Sequence, residues 1–248
     1  MTDIRDELSV RVAGIDGSGV RTLIGNLSGT LQPSSSGERI WDSSRIAFSA
    51  GRPDLIDFEE VDALIVVVSA RQGVPAAITH LWMSAAEAGI PAFITVTHLD
   101  DSTVDLEEAA AMCMRALNDG GEIFMPWLPI LDDDEAVCGF IDLLSEEIVD
   151  WSDGGPVVRA SEQRHQELIE DARAELCESI MLAVDDDELF AQYMAGDAID
   201  GEDIEHHMLE QISRGLRHPV FGTGLYPHLL GVGLVLDMLA GLSERRAD

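Results

Sequence analysis

Ser9–Ile15 (SVRVAGI), running into Asp16-Gly17-Ser18-Gly19, is the stretch whose reading decides the fold. Its β-branched residues predict a strand, the glycines a tight turn, and Leu23, Ile24 and Leu27 a helix directly afterwards. Working outward, Ala63–Ala70 (ALIVVVSA) is a continuous apolar run between acid and Arg71-Gln72-Gly73. Such a run reads as a strand buried on both faces of a parallel sheet. Pro91–Thr97 (PAFITVT) repeats it, after a helix that Pro75 opens and Gly89 closes. Strands and helices alternate, so the class is α/β. Between them, residues 29 to 54 are rich in Ser, Gly and Pro and read as irregular, with Trp41 and Phe48 pinning a loop.

From Glu122 the texture changes. Leu128-Pro129-Ile130 precedes an acidic turn at Asp132 to Glu135, a short apolar strand follows at Val137 to Leu143, and a glycine turn at Asp153 to Pro156. Helical periodicity then runs from Ser161 to Gly215, broken near Asp185 to Asp187 and at Gly196 to Gly201. Pro219 to Gly222 reads as a last strand and Tyr226 to Leu242 as a closing helix. Residues 122 to 217 are therefore expected to form a subdomain inserted into an α/β domain made of 1–121 and 218–248.

A chain of 248 residues with 46% apolar and 25% charged residues can bury a sizeable core. Asp and Glu number 47 against 15 basic residues, for a formal charge of −32 and a pI near 4.2. That field repels phosphate backbones and anionic lipids, so direct nucleic-acid or membrane binding is not expected. All 15 basic residues are Arg, which excludes Schiff-base chemistry and any lysine-dependent phosphate site. Cys113, Cys138 and Cys177 are an odd number with long gaps, unlike a disulfide framework or a zinc site. The acidic start lacks the pattern of a signal peptide, and the apolar windows are too short or too interrupted for a membrane span, so a cytoplasmic location is expected.

Taken in order, these pieces resemble the G domain of bacterial translation elongation factor G and its paralogues. Ala13-Gly14-Ile15-Asp16-Gly17-Ser18-Gly19 is similar to that family's phosphate-binding loop, and Asp62–Ala70 with Gly73-Val74 to its central strand. Thr97-His98-Leu99-Asp100 stands where the family writes Asn-Lys-Leu-Asp. Leu128-Pro129-Ile130 and Gly139–Leu144 resemble the start of the family's inserted subdomain, and Pro219–Leu225 its last strand and guanine loop. The resemblance implies a P-loop NTPase, Rossmann-like fold with a mostly parallel sheet and an inserted α+β subdomain of elongation-factor-G type. It also implies that the family's later, translocating domains are missing from the chain.

The nucleotide contacts implied by the resemblance are Gly14, Asp16, Gly17, Ser18, Gly19, Arg21, Thr22, Asp100, Thr223 and Gly224. A loop of the form G-x-x-x-x-G-K-[ST] needs its lysine for the β and γ phosphates and its hydroxyl for Mg²⁺. Gly14 and Gly19 keep the spacing, but Val20 and Arg21 follow. A one-residue bulge would instead bring Arg21 and Thr22 into those places. The family's magnesium-side acid falls on Asp57, with no glycine to follow it in Asp57-Phe58-Glu59-Glu60. Thr97 and His98 replace the buttressing amide and the lysine stem beside Asp100. The other reading of that segment is a helix cap at Asp101 and Ser102, with the helix running from Thr103.

No catalytic residue and no metal ligand is therefore assigned. Glu202, His206 and Glu210 share a helix face but read as solvated, the runs at Asp132–Asp134 and Asp185–Asp187 as turns, and Met112, Met114, Met181 and Met208 as core. The expectation is a pseudo-GTPase without cofactor, a protein-interaction or regulatory module whose partner is a ribosomal stalk protein or a translation factor, met through residues 122 to 217. Two alternatives stay open. One is a GTP-binding protein that holds GTP or GDP with Mg²⁺ and retains weak hydrolysis; the other is a structural partner that dimerises through an apolar patch on the sheet.

Overall fold

The computed structural model describes residues 7–28, 30–31, 41–55, 57–99, 104–152, 155–197, 199–224 and 229–247. The first strand, β1 (Leu8–Gly14), leads through the glycine turn to α1 (Val20–Leu27). A two-stranded ribbon follows, β2 (Thr30–Leu31) with β3 (Trp41–Asp42), and then β4 (Ile46–Gly51), β5 (Ala63–Ser69), α2 (Ala76–Glu87), β6 (Ala92–Thr97), α3 (Leu106–Ala116) and β7 (Glu122–Phe124). Next come four strands, β8 (Trp127–Leu131), β9 (Val137–Asp142), β10 (Glu147–Asp150) and β11 (Val157–Ala160), and three helices, α4 (Gln163–Leu182), α5 (Asp187–Ala195) and α6 (Gly201–Ser213). The last elements are β12 (Arg217–Thr223) and α7 (Val232–Ala247).

Six parallel strands form the main sheet in the order β4-β1-β5-β6-β12-β7. Every residue of β5, β6 and β12 is buried, as expected of strands covered on both faces; β5 and β6 do this with largely apolar runs, whereas β12 also buries Arg217, His218 and Thr223. The right-handed crossover rule puts α1, which connects β1 to a neighbour on one side, on the opposite face from α2, which steps the other way from β5 to β6. β4 corrects the reading of residues 29–54 as irregular: Ile46–Gly51 pairs in register with Leu8–Ala13 along the sheet edge, and Phe48 packs on the core from within that strand.

The four strands β8 to β11 form a separate antiparallel sheet, ordered β11-β10-β9-β8. Asp132 closes its first turn by accepting from the N–H groups of Asp134 and Ala136. The helical stretch breaks where expected, with Asp186 capping α5 and Asp200 capping α6. This layer docks on β12: the Trp127 ring lies 5.1 Å from that of Phe221, and Phe140 joins Leu99 and Leu106 in the space that Gly222 leaves free. The first residues of the expected insert, Glu122–Phe124, belong instead to the main sheet as β7, beside β12. Met181 and Met208 are buried as expected of core residues, whereas Met114 is exposed. No helix among the described residues is long and apolar enough to cross a membrane.

A buried cation ties the two layers together. Arg217, at the start of β12, is 3% exposed; it pairs with Glu122 Oε2 at 2.8 Å and donates to Gln211 of α6 and to Ser179 Oγ of α4 at 3.1 Å. Gln211 in turn donates to the Ile180 carbonyl at 2.9 Å. Burial pulls the Arg217 guanidinium below its usual value, opposed by the Glu122 carboxylate.

Candidate functional site

The sheet changes direction at β1, which is flanked by β4 on one side and β5 on the other. At the carboxyl ends of such strands a crevice opens. Here it is a cavity of about 670 Å³, walled by the glycine turn, the first turn of α1, the end of β4 and His98.

Glycine is needed in the turn. Gly17 (φ 85°) and Gly19 (φ 92°) are left-handed, a region other residues enter at a cost. At Gly14 a Cβ would meet Ser18 Oγ, the Val67 carbonyl oxygen at 2.8 Å and Val20 Cγ2 at 3.0 Å. Gly19 caps α1, and its carbonyl accepts the Leu23 N–H at 2.9 Å. The helix thus begins at Val20 with no residue bulged out between. Val20 is half-buried against the core, while Arg21 and Thr22 are exposed on the first turn and face the cavity.

Of the residues expected to contact a nucleotide, Gly14, Asp16, Gly17, Gly19, Arg21 and Thr22 line this one cavity. Ser18 is buried in the turn, and its Oγ has no hydrogen-bond partner among the described residues. Thr223 is buried and donates its hydroxyl to the Val96 carbonyl at 3.3 Å, and the Gly224 N–H donates to the Leu230 carbonyl at 3.1 Å; neither lines the cavity. Asp100 lies outside the described residues, as do Asp101, Ser102 and Thr103. The helix expected from Thr103 begins at Leu106, because the Asp105 side chain accepts from the N–H groups of Glu107 and Glu108.

Two expectations change with the geometry. Asp57 is away from the cavity, exposed in a turn where its Oδ1 accepts the Glu59 N–H at 3.0 Å. The strand that ends beside the glycine turn is β4, with Gly51 opposite Ala13, and it brings Ala50, Gly51 and Arg52 to the wall. A guanidinium therefore follows β4 where an acid was sought. Second, the loop keeps a buttress despite losing the amide. Thr97 donates its hydroxyl to the Ser18 carbonyl at 2.7 Å. With that proton committed, the 3.0 Å contact between Thr97 Oγ1 and His98 Nδ1 makes the ring nitrogen the donor. His98 holds φ 71°, a strained value for a residue with a side chain, and its ring also lies 3.4 Å from Ser69 Oγ. Gln72 closes the outside of the turn, its amide donating to the Asp16 carbonyl at 3.4 Å. Sequence reasoning missed Ala50, Gly51, Arg52 and Gln72; the signal was Ile46-Ala47-Phe48 ahead of Gly51-Arg52-Pro53.

The donor set fits a magnesium ion poorly. Among the described lining residues there is one carboxylate, Asp16, and one hydroxyl, Thr22, set with two guanidinium groups that repel a dication. Elsewhere, Glu202, His206 and Glu210 form no metal cluster: His206 lies against Arg245, whose Nη1 is 2.9 Å from the ring, and no group of three or more metal-binding side chains occurs among the described residues.

No protein-family model matches the chain. Over 159 residues, 64% of its length, it is 28% identical to the elongation factor G-like protein of Mycobacterium tuberculosis, in both strain CDC 1551 / Oshkosh and strain ATCC 25618 / H37Rv. The chain is homologous to an elongation factor G-like protein. It spans 21% of the length of those relatives. A crystal structure of a protein from Thermus thermophilus matches 97% of this chain and 41% of its own, with a TM-score of 0.71 at 21% identity. The shared fold is thus an α/β parallel sheet with an added antiparallel layer.

Proposed function

We propose that the chain is a catalytically degenerate translational-GTPase-like protein that acts as an interaction or regulatory module at the translation machinery. Homology to an elongation factor G-like protein supports the translational-GTPase-like part. The degeneracy rests on one observation: α1 opens with Val20 and Arg21 directly after Gly19, where the family's phosphate lysine and magnesium hydroxyl would stand. Phosphoryl transfer depends on positioned cations and a placed water, and Val20 supplies neither.

The interaction surface is the layer formed by β8–β11 and α4–α6. Residues 122–217 hold 26 of the 47 acidic residues and 5 of the 15 arginines, a surface suited to basic faces of a partner. Phosphate release from GTP with Mg²⁺ tests the first half; turnover above the rate in buffer would overturn it. For the second half, the tagged full chain is expected to retain ribosomal proteins or a translation factor from lysate, and loss of these from the eluate would count against it. The intact turn, held by Thr97, favours a second reading in which guanine nucleotide still binds without hydrolysis.

A further inference from the structure

We propose that the groove between the start of α3 and the β8–β9 hairpin docks a short basic segment of a protein partner, whose aliphatic side chains enter it between flanking lysines or arginines. The inference deepens the reading above and rests on it in one respect, that the β8–β11 layer meets a partner. The groove holds about 290 Å³. Trp127, Pro129 and Leu131 share one face of β8 by alternation. Trp127 is buried against Phe221 of the main sheet, whereas Pro129 and Leu131 carry the same face on into the groove. A bulge then widens the apolar floor: the β8–β9 pairing slips between Ile130 and Leu131, so Val137 rather than Cys138 stands opposite Leu131, and both line the groove. Val104, leading into α3, forms the facing wall. Leu131 is nevertheless 55% exposed, an anchor that the fold itself does not cover.

Charge decides what chemistry fits. Asp105, Glu107 and Glu135 line the groove, and no arginine or histidine does so among the described residues. The Asp105 carboxylate is committed to the N–H groups of Glu107 and Glu108 as the cap of α3. The carboxylates of Glu107 and Glu135 enter no hydrogen bond or ion pair among the described residues, which leaves them to meet a partner's cations. In a chain of net charge −32, acidity alone would select no place on the surface. An apolar floor with an acidic rim does, because burial of an aliphatic anchor supplies affinity while the rim charges supply orientation and selectivity. The same rim repels nucleic acid and anionic lipid.

Fluorescence anisotropy of the full chain with a short labelled peptide of alternating lysine and leucine tests this, beside copies with serine for leucine and with glutamate for lysine. Saturable binding of the lysine–leucine peptide is expected, weakened about tenfold by Leu131→Ser and about threefold by Glu107→Gln and by Glu135→Gln, each variant melting close to the parental temperature. Asp187→Asn with Glu188→Gln, on α5 and outside the groove, is expected to leave the affinity unchanged. No saturation at millimolar peptide would overturn the proposal, as would equal binding of either copy, affinity unmoved by Leu131→Ser or by both groove glutamate substitutions, or an equal loss from the α5 pair. Retention of ribosomal proteins or a translation factor from lysate, measured on the parent and on Leu131→Ser, reports separately on the partner reading. Retention that survives Leu131→Ser undiminished would overturn the groove and leave that reading standing.

Discussion

Thr97 carries the glycine turn through a single hydroxyl. Thr97→Val keeps the shape and removes the donor to the Ser18 carbonyl, so urea unfolding is expected to show a loss of about 1–3 kcal/mol. Gly14 shows the opposite sensitivity, to an added atom. A methyl there meets the Val67 carbonyl at 2.8 Å, and Gly14→Ala is expected to cost about 1–3 kcal/mol or to push the turn open. Cys113 is buried in α3, and burial raises its thiol to about 12. It stays protonated at neutral pH, so a thiol reagent is expected to label it only as fast as the chain unfolds.

Elements were legible where the apolar pattern had no competitor. β5 and β6 are written as unbroken apolar runs, and the helices α4 to α6 show their breaks at Asp185 and Gly196 in the sequence itself. β4 was hidden because an edge strand buries little: Ile46-Ala47-Phe48-Ser49 mixes one buried residue with half-buried ones, and serines surround it. With β4 went Arg52, and so one of the two guanidinium groups that line the cavity. Likewise β7, three residues long, gains its meaning only from pairing with a strand made almost a hundred residues later. The Arg217 junction could not be read either, since no local pattern announces that one guanidinium will meet Glu122, Ser179 and Gln211. Gln211→Ala leaves both the Arg217 Nε–H and the Ile180 carbonyl without their partner, and is expected to lower stability by about 2 kcal/mol in chemical denaturation.

Across the whole molecule, acid crowds the surface. With 47 carboxylates against 15 arginines, repulsion should fall as salt shortens the screening length from about 30 Å at 0.01 M to about 3 Å at 1 M, so the melting temperature is expected to rise with added NaCl. Protons act through a different group. His218 is buried with its ring 4.6 Å from that of Trp82, and burial holds its imidazole below the usual 6.5, against the weaker pull of Asp119 at 3.0 Å. The unfolded chain therefore takes up the proton first; this contribution is complete above about 6.5 and is lost as pH falls through that value towards the lower folded one. Melting temperatures measured from pH 7.5 to 5 should fall less steeply for His218→Gln than for the parent. Finally, the strand order imposes a timetable on synthesis. Because β12 stands between β6 and β7, the latter has no neighbour in its sheet until residues 217–223 have left the ribosome, whereas the antiparallel meander of β8–β11 finds all its partners within some thirty-five residues. The appended layer can therefore take shape on the nascent chain before the sheet that carries it is closed.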